Sequence, residues 1–271
     1  MNIQTTGVLA PQQPRTAIET GLSQVMLRDI LLKTMFRQTL TEVSAIARAI
    51  CLPVPVAQEL VDNARSQRLV EATGTLHANS GNEMGFQLTE AGKARALDAL
   101  GQSEYYGPMP VPLEQYGRQM ERQSIRNITM TRDRLLGAMG HLILPPRLID
   151  QLGPAVGSGR SILMYGPPGN GKSSISNGIR DALGDTIYIP RAIEYQGQVI
   201  SVYDPIVHTP VPEPEDDPSA LRRTSARYDR RYVYCKRPTV ITGGELSLEM
   251  LDLVYNPTSR TYQAPLQMKS S

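Results

Sequence analysis

Apolar residues first settle into a rhythm at Leu22. Met26, Leu27, Ile30, Leu31 and Met35 recur at helical spacing and predict a helix over Leu22–Phe36. Thr41–Ile50 repeats the pattern with Val43, Ile46, Ala47 and Ile50, and Thr41 stands where an N-cap belongs. A third helix is expected from Pro55, at its first turn, through Leu60, Val61 and Ala64 to about Arg68. The period then falls to two. Leu69–Leu76 and Met84–Leu88 read as paired strands around a turn at His77–Asn82, and Thr89 opens a closing helix through Leu97 and Leu100. The prolines of Glu104–Leu113 predict an extended linker, followed by an arginine-rich stretch over Tyr116–Leu136 that reads as a solvated helix face, with a nucleic-acid or acidic-partner contact as the alternative. Further on, Ser161–Tyr165 is a short apolar run, the pattern of a buried parallel strand. Ser173–Leu183 returns to helical spacing, with Gly184 placed to stop it. Thr186–Ile189, Gly197–Tyr203, Pro238–Thr242 and Thr261–Leu266 read as extended, and Ser247 as the cap of a helix over Leu248–Val254.

Three helices, a two-stranded ribbon and a closing helix predict a winged-helix domain over residues 21–103, preceded by a disordered lead at 1–20. Phe86–Ala94 resembles the L-T-x-x-G segment that follows the wing in many winged-helix regulators. DNA binding by such a domain needs a basic excess around the third helix. Residues 21–100 hold eight bases and eight acids, and Glu59 and Asp62 lie on that third helix. Docking of a protein and docking of DNA therefore stand as equal expectations.

The stretch Gly166–Ser174 fits the phosphate-loop pattern G-x-x-x-x-G-K-[ST] at every fixed position, and its strand–loop–helix setting is the one such a loop requires. Gly166, Gly169 and Gly171 let the backbone turn its amides toward a phosphate chain, while Pro167, Pro168 and Asn170 complete the turn. Lys172 is placed to reach β- and γ-phosphates, the Ser173 hydroxyl to ligate Mg²⁺, and Ser174 adds a helix-start amide. ATP and Mg²⁺ are the implied cofactors.

The Gly-Pro-Pro-Gly opening of this loop resembles that of AAA+ ATPases, with Asn170 and Ser173 where threonine is commoner in that family. His141–Ile149 resembles the segment that packs around adenine there, although core packing explains its composition equally well. Gly243–Pro257 and Ala264–Lys269 resemble a group of bacterial AAA+ ATPases that carry an N-terminal winged helix. The resemblance implies an α/β fold, with a P-loop parallel sheet and flanking helices over 115–271 after a linker at 104–114. It also implies assembly into a homo-oligomeric ring in a full-length form. A strand ending in paired acids, the first holding Mg²⁺ and the second polarising water, is the missing part. Asp204 ends the apolar run Val199–Tyr203 but is followed by Pro205, and Glu245 lies two glycines past its run, so neither matches well. The chain is read as a member truncated before that strand, its polar sensor, arginine finger and helical lid.

Composition narrows the partners. The net charge of +2 does not by itself imply nucleic acid or membrane. Two distant cysteines, Cys51 and Cys235, match no metal or redox spacing. With no membrane-length apolar run and no signal-peptide core, a cytoplasmic protein is expected. The acidic cluster Glu213, Glu215, Asp216 and Asp217 is expected to neutralise the basic segment Arg222–Arg237. Three functions remain: an ATPase performing conformational work on a protein or nucleic-acid target, a nucleotide-switched binding module without turnover, and a small-molecule kinase. The ribbon-and-helix domain and the Gly-Pro-Pro-Gly loop weigh against the kinase.

Overall fold

The computed structural model describes residues 8–78, 81–158, 162–212, 228–240, 242 and 246–270, with backbone only at 75–78 and 81–83. It is mixed α/β, with nine α-helices and nine strands among the described residues.

The first core is built by α1 (Gln24–Gln38), α2 (Val43–Ile50) and α3 (Val54–Ser66), with the ribbon β1 (Val70–Ala78) and β2 (Gly81–Leu88) and the closing helix α4 (Glu90–Gln102). These are the predicted elements in the predicted order. Leu27, Leu31, Ile46, Ile50, Val56 and Val61 fill the centre and are buried. Ser23 caps α1 by accepting from the Met26 N–H, and Thr89 caps α4 through the Gly92 N–H at 3.0 Å. Gly92 has a tertiary reason as well. A Cβ there would lie 2.0 Å from the Leu69 carbonyl oxygen, so only glycine lets α4 start this close to the ribbon. Thr41 is not a cap. Glu42 holds that place without a side-chain bond, and the Thr41 carbonyl instead accepts from Phe86 N–H.

Two segments read as lead and linker belong to the folded body. The Ala17 methyl is buried in the first core and its N–H donates to Glu59 Oε2 on α3. The Thr20 and Pro11 carbonyls are held by Arg231 and by the Asp229 N–H. Residues 8–20 are thus packed; 1–7 lie outside the described residues. The proline stretch is extended but not free. Met109 and Val111 are buried, Gly107 N–H donates to the Thr34 hydroxyl, and β3 (Val111–Pro112) joins a sheet.

That sheet has five strands in the order β3-β5-β6-β9-β8, where β5 is Ala192–Tyr195, β6 Gln198–Ser201, β8 Val254–Asn256 and β9 Thr261–Gln263. It is mixed: β3–β5 and β6–β9 run parallel, β5–β6 and β8–β9 antiparallel. Helix α5 (Leu113–Arg122) covers it through Tyr116, beside Ile187, Ile189, Ile193 and Ile200. A separate pair joins β4 (Thr186–Pro190) to β7 (Tyr232–Lys236) in antiparallel register. The uniformly parallel sheet expected from the sequence is therefore not what forms among the described residues. Of the strand expected at Pro238–Thr242, residues 238–240 and 242 are not extended in a sheet and Ile241 lies outside the described residues; the nearby strand is β7, where alternate residues Val233 and Cys235 turn inward. The segment expected as a helix over Leu248–Val254 is a short 3-10 turn at Leu248–Leu251, and Ser247 makes no side-chain cap.

The third core packs α6 (Arg132–Met139), α7 (Pro146–Gly157) and α8 (Lys172–Leu183) through Leu135, Met139, Ile149, Leu152, Ile175 and Ala182.

Candidate functional site

Glycine geometry defines the loop at the head of α8. Gly166, Gly169 and Gly171 take φ of 147°, 83° and 72°, a region that side chains avoid, so the residue type is required by the turn itself. Gly171 is the residue before the helix, and Lys172, Ser173 and Ser174 supply first-turn amides that have no partner within a helix. The positive end of the helix dipole lies at the same place. Lys172 Nζ folds back over the loop and donates to the Gly166 and Pro167 carbonyls at 2.9 and 2.7 Å. Residues 166–171 and Ser173 are exposed, so the cradle opens directly on solvent.

Behind the loop, the helix is firmly seated. Ile175, Gly178 and Ala182 are buried against α6. A Cβ on Gly178 would come within 2.6 Å of Met139 Cγ, which measures how closely the two helices approach. At the far end, Arg134 of α6 donates from Nε and Nη2 to the Ala182 and Leu183 carbonyls, at 2.6 and 2.8 Å. A cation there meets both the orphan carbonyls and the negative end of the dipole. The sequence placed Arg134 only within an arginine-rich helical face; its role needs α6 and α8 side by side.

The approach to the loop differs from expectation. Residues 162–165 form no strand, and Leu163 and Tyr165 are 86% and 88% exposed. A strand exists only by pairing, and no described strand runs beside this segment. Met164 alone of the run packs inward, against the α6–α8 core. The segment compared with an adenine pocket is divided: Leu142, Leu144 and Ile149 pack into that core while Ile143 is wholly exposed.

Asp204 is engaged elsewhere. It follows β6, in the five-stranded sheet that does not include the loop segment, and its Oδ2 accepts from Lys269 Nζ at 2.8 Å. That bond, with one from the Ile206 N–H to Oδ1, holds its carboxyl below the usual range. Its own N–H donates to His208 Nδ1, and His208 Nε2 is 2.7 Å from the Lys269 carbonyl. An Nδ1 that accepts leaves the proton on Nε2, so this buried imidazole is the neutral donor to Lys269 O. Burial accordingly lowers its pKa. The carboxylate proposed for Mg²⁺ is thus neutralised by a lysine within the fold.

Glu245, the acidic cluster at 213–217, and Arg222, Arg223 and Arg227 lie outside the described residues. Of the remaining basic segment, two arginines are structural. Arg231 is buried and pairs with buried Asp229 at 2.8 Å; Arg237 pairs with Asp185 at 2.7 Å. Among the described residues no cluster of three His, Cys, Asp or Glu side chains could hold a metal, and no helix is long and apolar enough to cross a membrane. On α3, the third helix of the first core, Glu59 accepts from the Ala17 N–H and Asp62 from the Gln58 side chain. No protein-family model matches the chain, and no curated protein is significantly similar to it.

Proposed function

We propose that Gly166–Ser174 binds the phosphates of a nucleoside triphosphate, ATP being the expected one, with Mg²⁺ held by the Ser173 hydroxyl and the phosphates. The observation that carries this reading is the conjunction at one helix start: three glycines at positive φ, free first-turn amides, and a lysine ammonium poised over the turn. The donor set fits the group. It offers N–H dipoles and one mobile cation to a polyanion, and a hydroxyl oxygen to a hard divalent ion.

On this reading residues 115–271 form a P-loop nucleotide-binding unit of AAA+ type that assembles as a ring, and residues 21–103 a winged helix that docks a target. Protein is the better-supported target class, because α3 uses Glu59 for internal packing and the local charge balance is zero. ATP hydrolysis would drive conformational work; the described residues supply the phosphate cradle, while Asp204 is bound to Lys269.

Calorimetry with Mg-ATP on wild type and Lys172→Ala tests the reading. Loss of binding at the loop is expected, because the Lys172 ammonium that folds over it is removed. Equal affinities would overturn it.

A further inference from the structure

Beside α5, a cavity of about 450 Å³ lies between residues 11–19, α5 and the turn at 229–232. Its charge is unbalanced. Arg15, Arg118, Arg122 and Arg231 line it, against Glu19 and Asp229. The two acids are already engaged: Asp229 by the buried Arg231, and Glu19 by the Arg15 backbone N–H at 2.7 Å. Arg118 touches Glu114, outside the cavity, in a surface pair whose members are 62% and 77% exposed, a contact of small worth. The Arg15 and Arg122 guanidinium groups make no contact with an acid among the described residues. The lining therefore carries four guanidinium groups against two carboxylates, an excess of two positive charges.

The walls are fixed rather than fortuitous. Arg231 donates to the Thr20 and Pro110 carbonyls and to Gln115 Oε1, and the Asp229 N–H donates to Pro11 O, so one buried ion pair ties all three walls together. Gln119, in the same lining, is buried, and its Oε1 has no donor in the protein. Its amide cannot be turned to cure this. Nε2 donates to Leu9 O and to Gln123 Oε1, and Gln123 Oε1 also accepts from the Tyr188 N–H, so a flip would set oxygen against oxygen. That oxygen is an acceptor sealed from solvent, so it takes no part in holding an anion.

We propose that this cavity is a second anion site, for a phosphate-bearing small molecule, distinct from the loop at Gly166–Ser174. A small-molecule site of this volume is ordinary in size. Guanidinium forks match the paired oxygens of a phosphate, and an excess of two positive charges suits a multiply charged group better than a lone carboxylate.

Inorganic pyrophosphate is the probe, used on the full chain carrying Lys172→Ala so that the loop does not contribute. Calorimetry should still detect binding, and adding Arg118→Gln with Arg122→Gln should weaken it at least tenfold. Arg126→Gln, an exposed arginine outside this cavity, serves as control and should leave it unchanged. No binding by the Lys172→Ala chain, or equal binding after the double substitution, would overturn the proposal. Both arginines are exposed, so circular dichroism should confirm an unchanged fold. Failure here leaves the Lys172 result on wild type untouched, so the two sites are judged separately.

Discussion

Lys269 Nζ lies 2.8 Å from Asp204 Oδ2, and the same two residues are joined again through His208, whose ring accepts from Asp204 N–H and donates to Lys269 O. The loop after β6 and the terminal helix α9 (Leu266–Lys269) are thereby closed into one ring of three residues. Its members favour one protonation state: carboxylate, neutral imidazole, ammonium.

That ring makes stability fall in acid. The folded His208 pKa is below its ordinary 6.5, so the unfolded chain binds more protons as pH drops through 6.5, and the contribution present above 6.5 is lost below it. Asp204 acts in the same direction lower down, its contribution disappearing as pH falls below 3.8 toward the folded value. Thermal melts should show Tm falling between pH 7.5 and 5.5, and His208→Gln should flatten that slope. An unchanged slope would remove His208 from the account.

Asp204→Asn should cost about 1 kcal/mol of stability, the worth of a partly buried charged hydrogen bond. It should leave Mg-ATP affinity unaltered. Turnover by the 271-residue chain is expected near background, with or without the substitution. An enzymatic rate abolished by Asp204→Asn would show that the carboxylate leaves Lys269 to serve the nucleotide.

Lys33 of α1 is buried, with Nζ donating to Ser103 O at 3.0 Å, and desolvation lowers its pKa to about 8 although nearby Asp29 opposes the shift. The unfolded lysine titrates near 10.5, so the unfolded chain holds more protons between pH 8 and 10.5 and stability rises through that window. Lys33→Met keeps the stem's packing and removes the buried charge. It should stabilise the protein at pH 7 by on the order of 1 kcal/mol and abolish the alkaline rise, as read by denaturant titration.

Gly92→Ala should be among the most damaging single changes in the chain. The new methyl would meet the Leu69 carbonyl at 2.0 Å, a backbone atom that cannot turn aside. A loss of about 3 kcal/mol or more is expected, whereas Gly101→Ala on the same helix, with open space around it, should be neutral or mildly stabilising.

Arg134→Ala should loosen α8 at its far end. Two charged hydrogen bonds to the last carbonyls are lost, for about 1–2 kcal/mol. Hydrogen exchange should quicken in Ala182–Gly184 before it quickens in the loop.

Local chemistry is what the sequence alone determined. The helices α1 to α4, the Thr89 cap, the ribbon and the loop with its glycines each depend on residues a few positions apart, so period and punctuation suffice to find them. Gly92 was legible as a motif position, yet its reason, the Leu69 carbonyl, belongs to the packed structure. Pairing was beyond the sequence. Ser161–Tyr165 has the composition of a buried strand, but a ladder needs a neighbour and no described strand comes alongside 162–165; β7 found β4 across some forty residues that carry no record of the partnership. Charge was equally deceptive. Asp204 and Arg231 look alike in sequence as available ionised groups, and only the fold assigns one to Lys269 and buries the other beside Asp229. Tertiary structure decides such cases because the desolvation of a charge depends on everything packed around it.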